Sequence, residues 1–129
     1  MAGIVHFEVP ADDTSRAVKF YNEMFGWSFQ AMEGPVECHM AQVSEGLGGG
    51  IHRADQGGGI PGIFVYFDVD DINEGAQRVR DLGGTAEEPG SIPQMGWYAR
   101  CSDHGRQPVR ALAERPGRAR ARRLSVAAL

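Results

Sequence analysis

The chain has 129 residues, of which 42% are hydrophobic, enough for one domain with a real core and against a disordered chain. No apolar run approaches the about 20 residues that cross a bilayer, and the N-terminus lacks the basic-then-apolar layout of a secretory signal, so a cytoplasmic protein with no membrane partner is expected. The net charge of −4 hides a split: residues 1–103 carry 16 acids against 6 bases (−10), and residues 104–129 carry 7 arginines against Glu114 alone (+6).

The opening stretch HFEVPADD holds His6 and Glu8 between Val5, Phe7 and Val9. Read as a strand, the apolar three face one side and His6 and Glu8 face the other. An imidazole and a carboxylate on one face are either half of a metal site or a polar pair bonded to each other, to water or to a ligand.

Asp12, Asp13 and Thr14 offer N-cap groups. Ala17, Phe20, Tyr21, Met24 and Phe25 follow at the spacing of one helical stripe, and Gly26 is a fitting stop. Residues 27–32 and 36–43 read as strands around a Gly34-Pro35 turn, and residues 47–53 as a third, glycine-rich strand. The glycines of GLGGGI lack the third glycine of a dinucleotide fingerprint and the Lys-Ser/Thr of a phosphate loop. They are read as letting a strand bend or a ligand approach.

After the flexible connector ADQGGGIPG the pattern restarts. Residues 65–69 line up with residues 5–9 at an offset of 60. Asp70 and Asp71 cap a second helix, with Glu74 placed for a capping box and Ile72, Ala76, Val79 and Leu82 as its stripe, ended by Gly83-Gly84. Residues 85–88 and 96–101 read as strands. The repeat predicts an α+β protein of two βαβββ units: residues 1–53, a linker over 54–62, a second unit over 63–112 whose last strand is in doubt, and a basic tail over 113–129. The cysteines, Cys38 and Cys101, make no disulfide framework and are expected as free thiols; the adjacent Cys38 and His39 are read as structural. Trp97, Tyr98, Tyr66 and Trp27 are aromatic candidates for a ligand wall, though core packing is the commoner job of each.

The paired segments HFEVPADDTSRAVKFYNEMFGW and YFDVDDINEGAQRVRDLGG resemble the vicinal oxygen chelate superfamily, which includes glyoxalase I, bleomycin-resistance proteins and extradiol dioxygenases. The resemblance covers residues 3 to about 103. It implies that each unit forms half of an open cup holding a small ligand, often on a divalent metal, and that two chains assemble as a homodimer. Family ligands come from the first and last strands of each unit. Carried over, these positions give His6 (or Ile4) and His52 in the first unit and Phe64 or Tyr66 in the second, with no carboxylate after Cys101.

A catalytic zinc, nickel, manganese or iron needs about three protein ligands, and this set supplies His6 and His52 as metal candidates with Glu8 in reserve. The resemblance therefore implies a small-molecule-binding protein whose ligand meets His6, Glu8, His52, Tyr66 and Trp97. The alternative is a metal-dependent glyoxalase-like lyase or isomerase, with Glu8 as catalytic base.

The end of the chain departs from the family. After CSD, members continue with a turn and a strand resembling Asp-Pro-Glu-Gly-Asn-Pro-Phe-Gly-Leu-Trp-Gln. Skipping the first base of the His104 codon lets permitted codons read Thr-Asp-Gly-Asn-Pro-Phe-Gly-Leu-Trp-Gln. Residues 104–129 are thus read as the product of a frameshift, with a genuine basic tail as the alternative. RPGRARARR has the charge to meet nucleic acid but no interleaved aromatic residues, so a nucleic-acid partner is not expected.

Overall fold

The computed structural model describes residues 3–33, 37–56, 61–92 and 96–113. The Gly34-Pro35 turn, the centre of the connector and the basic tail beyond Ala113 lie outside the described residues.

The chain runs β1 (Ile4–Ala11), α1 (Thr14–Phe25), β2 (Gln30–Met32), β3 (Cys38–Ser44), β4 (Leu47–Arg53), β5 (Phe64–Asp68), α2 (Ile72–Asp81), β6 (Thr85–Ala86), β7 (Gly90–Ile92), β8 (Gly96–Ser102) and β9 (Pro108–Ala113). This is the expected α+β pattern of two helices over one large mixed sheet. Both helices start as their sequences indicate. Asp13 accepts from the Arg16 amide and Asp71 from those of Asn73 and Glu74, which satisfies otherwise orphaned N–H groups. Gly26 ends α1 in the left-handed conformation, φ 78°, where glycine carries no steric penalty.

The strand order is β2-β3-β4-β1-β5-β9-β8-β6, with β7 also on β8. The two halves mirror each other about the β1–β5 pair. β1 takes β4 in parallel and β5 takes β9 in parallel, while β1 and β5 meet antiparallel with His6 opposite Tyr66. These are the two residues that the offset of 60 equates, so the internal repeat becomes a structural pseudo-symmetry centred on the candidate site.

The helices cover one face of the sheet. Ile72 and Ala76 of α2 pack on Ala99, Cys101, Ala111 and Ala113 of the sheet, with Trp97 and Val109 against them. Under α1, Phe7 of β1 meets Trp27, and Tyr21 and Phe25 stack on the same indole. β2 starts at Gln30, three residues later than its β propensity indicates. No helix among the described residues covers the other face.

The glycines of β4 have a different task from the one expected. A Cβ at Gly49 would run into the Phe7 ring, and one at Gly50 would overlap the Glu8 carboxylate. They make room for side chains of the neighbouring strand on opposite faces.

β9 fills the last-strand position. Pro108–Ala113 is antiparallel to β8 along its length and parallel to β5 through Tyr66↔Arg110. Its last four residues are all buried.

Candidate functional site

Alternation in a strand fixes what the helix-free face carries. One row crosses the sheet through registered partners: Gln42, Gly48, His6, Tyr66, Arg110 and Arg100, on β3, β4, β1, β5, β9 and β8. Beside it run Met40, Gly50, Glu8 and Phe64, then Cys38 and His52. His6, Glu8, His52 and Arg110 are 2%, 8%, 4% and 5% exposed, a concentration of buried ionisable groups that a sheet core does not ordinarily hold.

Glu8 is the hub. Its Oε2 lies 2.5 Å from His6 Nε2 and its Oε1 lies 2.8 Å from His52 Nδ1. Burial alone would push the Glu8 carboxyl up. The hydrogen bonds from His52 and His6 and their charges outweigh it and hold the group below its ordinary value. Glu8 is therefore a carboxylate that can only accept, and each imidazole donates one N–H to it. The other ring nitrogens, His6 Nδ1 and His52 Nε2, are buried and have no partner among the described residues. Each is left to meet a ligand or a water.

The second unit contributes different chemistry. Arg110 Nη1 donates to Tyr66 Oη at 2.9 Å, and the guanidinium lies 4.4 Å from the centre of the Phe64 ring. Phe64 in turn stands 5.7 Å from the His52 ring and Tyr66 5.4 Å from the His6 ring. Burial pushes the Tyr66 phenol up, against the lowering pull of Arg110, so it stays protonated.

Of the residues singled out from the sequence, His6, Glu8, His52 and Tyr66 come together. Trp97 does not join them. It has the parity of Ala99 and Cys101 and packs with them on the helix side, because every second residue of β8 faces α2. Arg110, Arg100 and Phe64 complete the face instead. The alternation of Val109, Ala111 and Ala113 was the available signal for Arg110: an arginine between residues of one apolar face must point to the other. A cavity of 340 Å³ lies farther along the sheet, lined by Gly26, Ser28, Gln30, Met40 and Gln42 among others. It does not include the Glu8 cluster.

The fold family implies a divalent metal, and the donor set does not fit one. Both imidazoles are turned inward on Glu8, whose carboxylate occupies the space between them, and their remaining nitrogens point away from it. The matching row of the second unit brings a phenol and a guanidinium, which repels a dication and cannot ligate it. Among the described residues, no group of three or more His, Cys, Asp and Glu side chains is arranged to hold an ion.

Comparison with known proteins agrees with this architecture. Residues 4–44 match the family model described as bleomycin resistance protein-like N-terminal. A glyoxylase-like domain-containing protein of Didymella fabae is 34% identical over 86 residues, spanning 60% of this chain and 65% of that relative, just under two thirds of its length. Among solved structures, methylmalonyl-CoA epimerase of Mycobacterium tuberculosis superposes with a TM-score of 0.67 at 15% identity, over 90% of this chain and 89% of that one. A hypothetical protein of Bacillus halodurans superposes with a TM-score of 0.70 at 14% identity, over 94% of this chain and 99% of that one. Family model and fold point the same way: residues 4–44 are similar to the bleomycin resistance protein-like N-terminal family, and the chain as a whole shares the fold of these solved neighbours.

Proposed function

We propose that the chain is a small-molecule-binding protein that holds its ligand on polar side chains of the helix-free face, without a catalytic metal. The observation that carries this reading is the state of the histidines. Each spends one nitrogen on Glu8 and keeps the other buried without a partner, and a buried polar atom in that state costs about 1–3 kcal/mol until something satisfies it. A ligand with a hydrogen-bonding group supplies what is missing. Tyr66 and Phe64 give it aromatic surface.

One observation favours the enzyme reading, a metal-dependent glyoxalase-like lyase or isomerase. Two histidines and one glutamate are metal-donor types, and a turn of both rings would free their nitrogens for an ion. A homodimer belongs to either reading and is supported by the exposed apolar stripe of Phe20, Met24 and Phe25 on α1.

Plasma mass spectrometry of the untagged protein, after loading with nickel, zinc, manganese and iron, separates the two. The binding reading expects no retained metal and thermal stabilisation by members of a small-molecule library. About one metal per chain, lost in His6→Ala, overturns it in favour of the enzyme. Sedimentation equilibrium tests the dimer, which a monomer at micromolar concentration would rule out.

A further inference from the structure

Beyond Tyr66, the helix-free face sets two arginines side by side. Arg100 on β8 is the registered partner of Arg110 on β9, and Arg110 is the registered partner of Tyr66 on β5. Partners of this kind have Cβ atoms about 5 Å apart on the same face, and like charges directly opposite each other are destabilising.

Two further observations point to a ligand at this place. The Nε of Arg100 is buried and has no hydrogen-bond partner among the described residues, against the general rule that buried donors are satisfied. Tyr66 Oη already accepts from Arg110, so the phenol proton is directed at some other acceptor. Donor-bearing side chains of three adjacent strands thus share one row of the face, and Phe64 backs it with an aromatic ring against the Arg110 guanidinium.

We propose that Arg100, Arg110 and Tyr66 form a subsite for the carboxylate of a small organic acid, whose apolar body lies along Phe64. The inference rests on the small-molecule-binding reading and names the class of its ligand. The chemistry is that of guanidinium recognition: planar groups offer paired N–H donors that match the two oxygens of a carboxylate, and the phenol adds a third donor. The His6–Glu8–His52 cluster cannot serve the same group, since Glu8 itself repels it.

The test compares phenylacetate with phenylacetamide, which has the same shape without the charge, by titration calorimetry on the full chain. The acid is expected to bind more tightly than the amide by about ten-fold or more, the worth of one charge-assisted hydrogen bond, and to weaken with added salt. Arg100→Gln, at a half-buried position, removes most of that preference, and Arg100→Lys restores only part of it.

An amide that binds as well as the acid, or a preference unchanged in Arg100→Gln, overturns the subsite. If neither compound binds while neutral library members do, the subsite falls and the binding reading stands. If nothing binds, both fall. Acid binding that needs added metal and vanishes with a chelator places the carboxylate on an ion and also overturns the subsite.

Discussion

Glu8 occupies its place because Gly50 faces it. The two are registered partners on β1 and β4, and a Cβ at position 50 would overlap the Glu8 carboxylate. The residue that builds the polar cluster and the residue that makes room for it are 42 positions apart in sequence and are joined only by the parallel pairing of the two strands. Gly50→Ala is expected to cost about 1–3 kcal/mol, the usual result of forcing extra volume into a packed site. Urea denaturation measures it. Gly50→Ala in a Glu8→Ala background should recover much of the loss, because the clash is gone. A double variant no more stable than the sum of the singles would show that the glycine serves something other than the carboxylate.

Acid should act on this protein through Glu8. Its folded-state pKa is depressed by the hydrogen bonds from His52 and His6 against the opposing effect of burial. A depressed carboxyl contributes stability that is present above its unfolded value, 4.5, and is lost as pH falls through the folded value. The free energy of unfolding should therefore decline below about pH 4.5 in the wild type. Glu8→Gln, which lacks the charge, is expected to cost about 1–3 kcal/mol at pH 7 and to show a shallower acid decline. Denaturation curves for both proteins at pH 7 and pH 4 check this; parallel losses in the two would refute it.

The same carboxylate bears on a neighbouring thiol. Burial first, and the Glu8 charge second, push the Cys38 thiol up to about 12. Burial likewise pushes Cys101 up. Since the thiolate is the reactive form, neither cysteine should take up iodoacetamide at pH 8 in the folded protein, and both should react fully in urea. Intact-mass measurement gives the count. In Glu8→Gln, Cys38 should react faster than in the wild type while Cys101 is unchanged. Fast native labelling of Cys38 would contradict the burial described for it.

Much of this site is legible in the sequence, and the part that is not follows from the physics of strands. His6 and Glu8 share a face because they are two apart on β1, which any alternation argument recovers. The offset of 60 equates His6 with Tyr66, and the structure sets them opposite each other. Trp97 was harder, since aromatic residues suit both a ligand wall and a core. The parity it shares with Ala99 and Cys101 decides for the core. The pairing of Arg100 with Arg110 needs the register of β8 on β9, which depends on the turn between them and on no local periodicity. Three-residue β7 carries too few residues for a pattern. The glycines of β4 read locally as flexibility, and only the identity of the neighbouring side chains gives them their purpose.

The last strand offers the sharpest test of how sequence and fold relate here. Residues 104–129 depart from the family's ending, and their origin in a shifted frame remains a proposal that resequencing across the Asp103 codon tests. In the present frame the stretch still supplies a strand. Val109, Ala111 and Ala113 alternate as apolar residues against the α2 core, and Arg110 and Leu112 take the opposite face. The two faces make separable predictions. Ala111→Asp puts a carboxylate into the core at a position 6% exposed and is expected to cost at least about 3 kcal/mol, since no partner there compensates its desolvation. Arg110→Met keeps the apolar stem and removes the charge, so it is expected to leave the melting temperature within a few degrees while abolishing the preference for an acid over its amide. Thermal melts and calorimetry on both variants decide it. If Ala111→Asp is harmless, β9 is not the strand described. If Arg110→Met unfolds the protein, the guanidinium is structural and the carboxylate subsite must rest on Arg100 and Tyr66 alone.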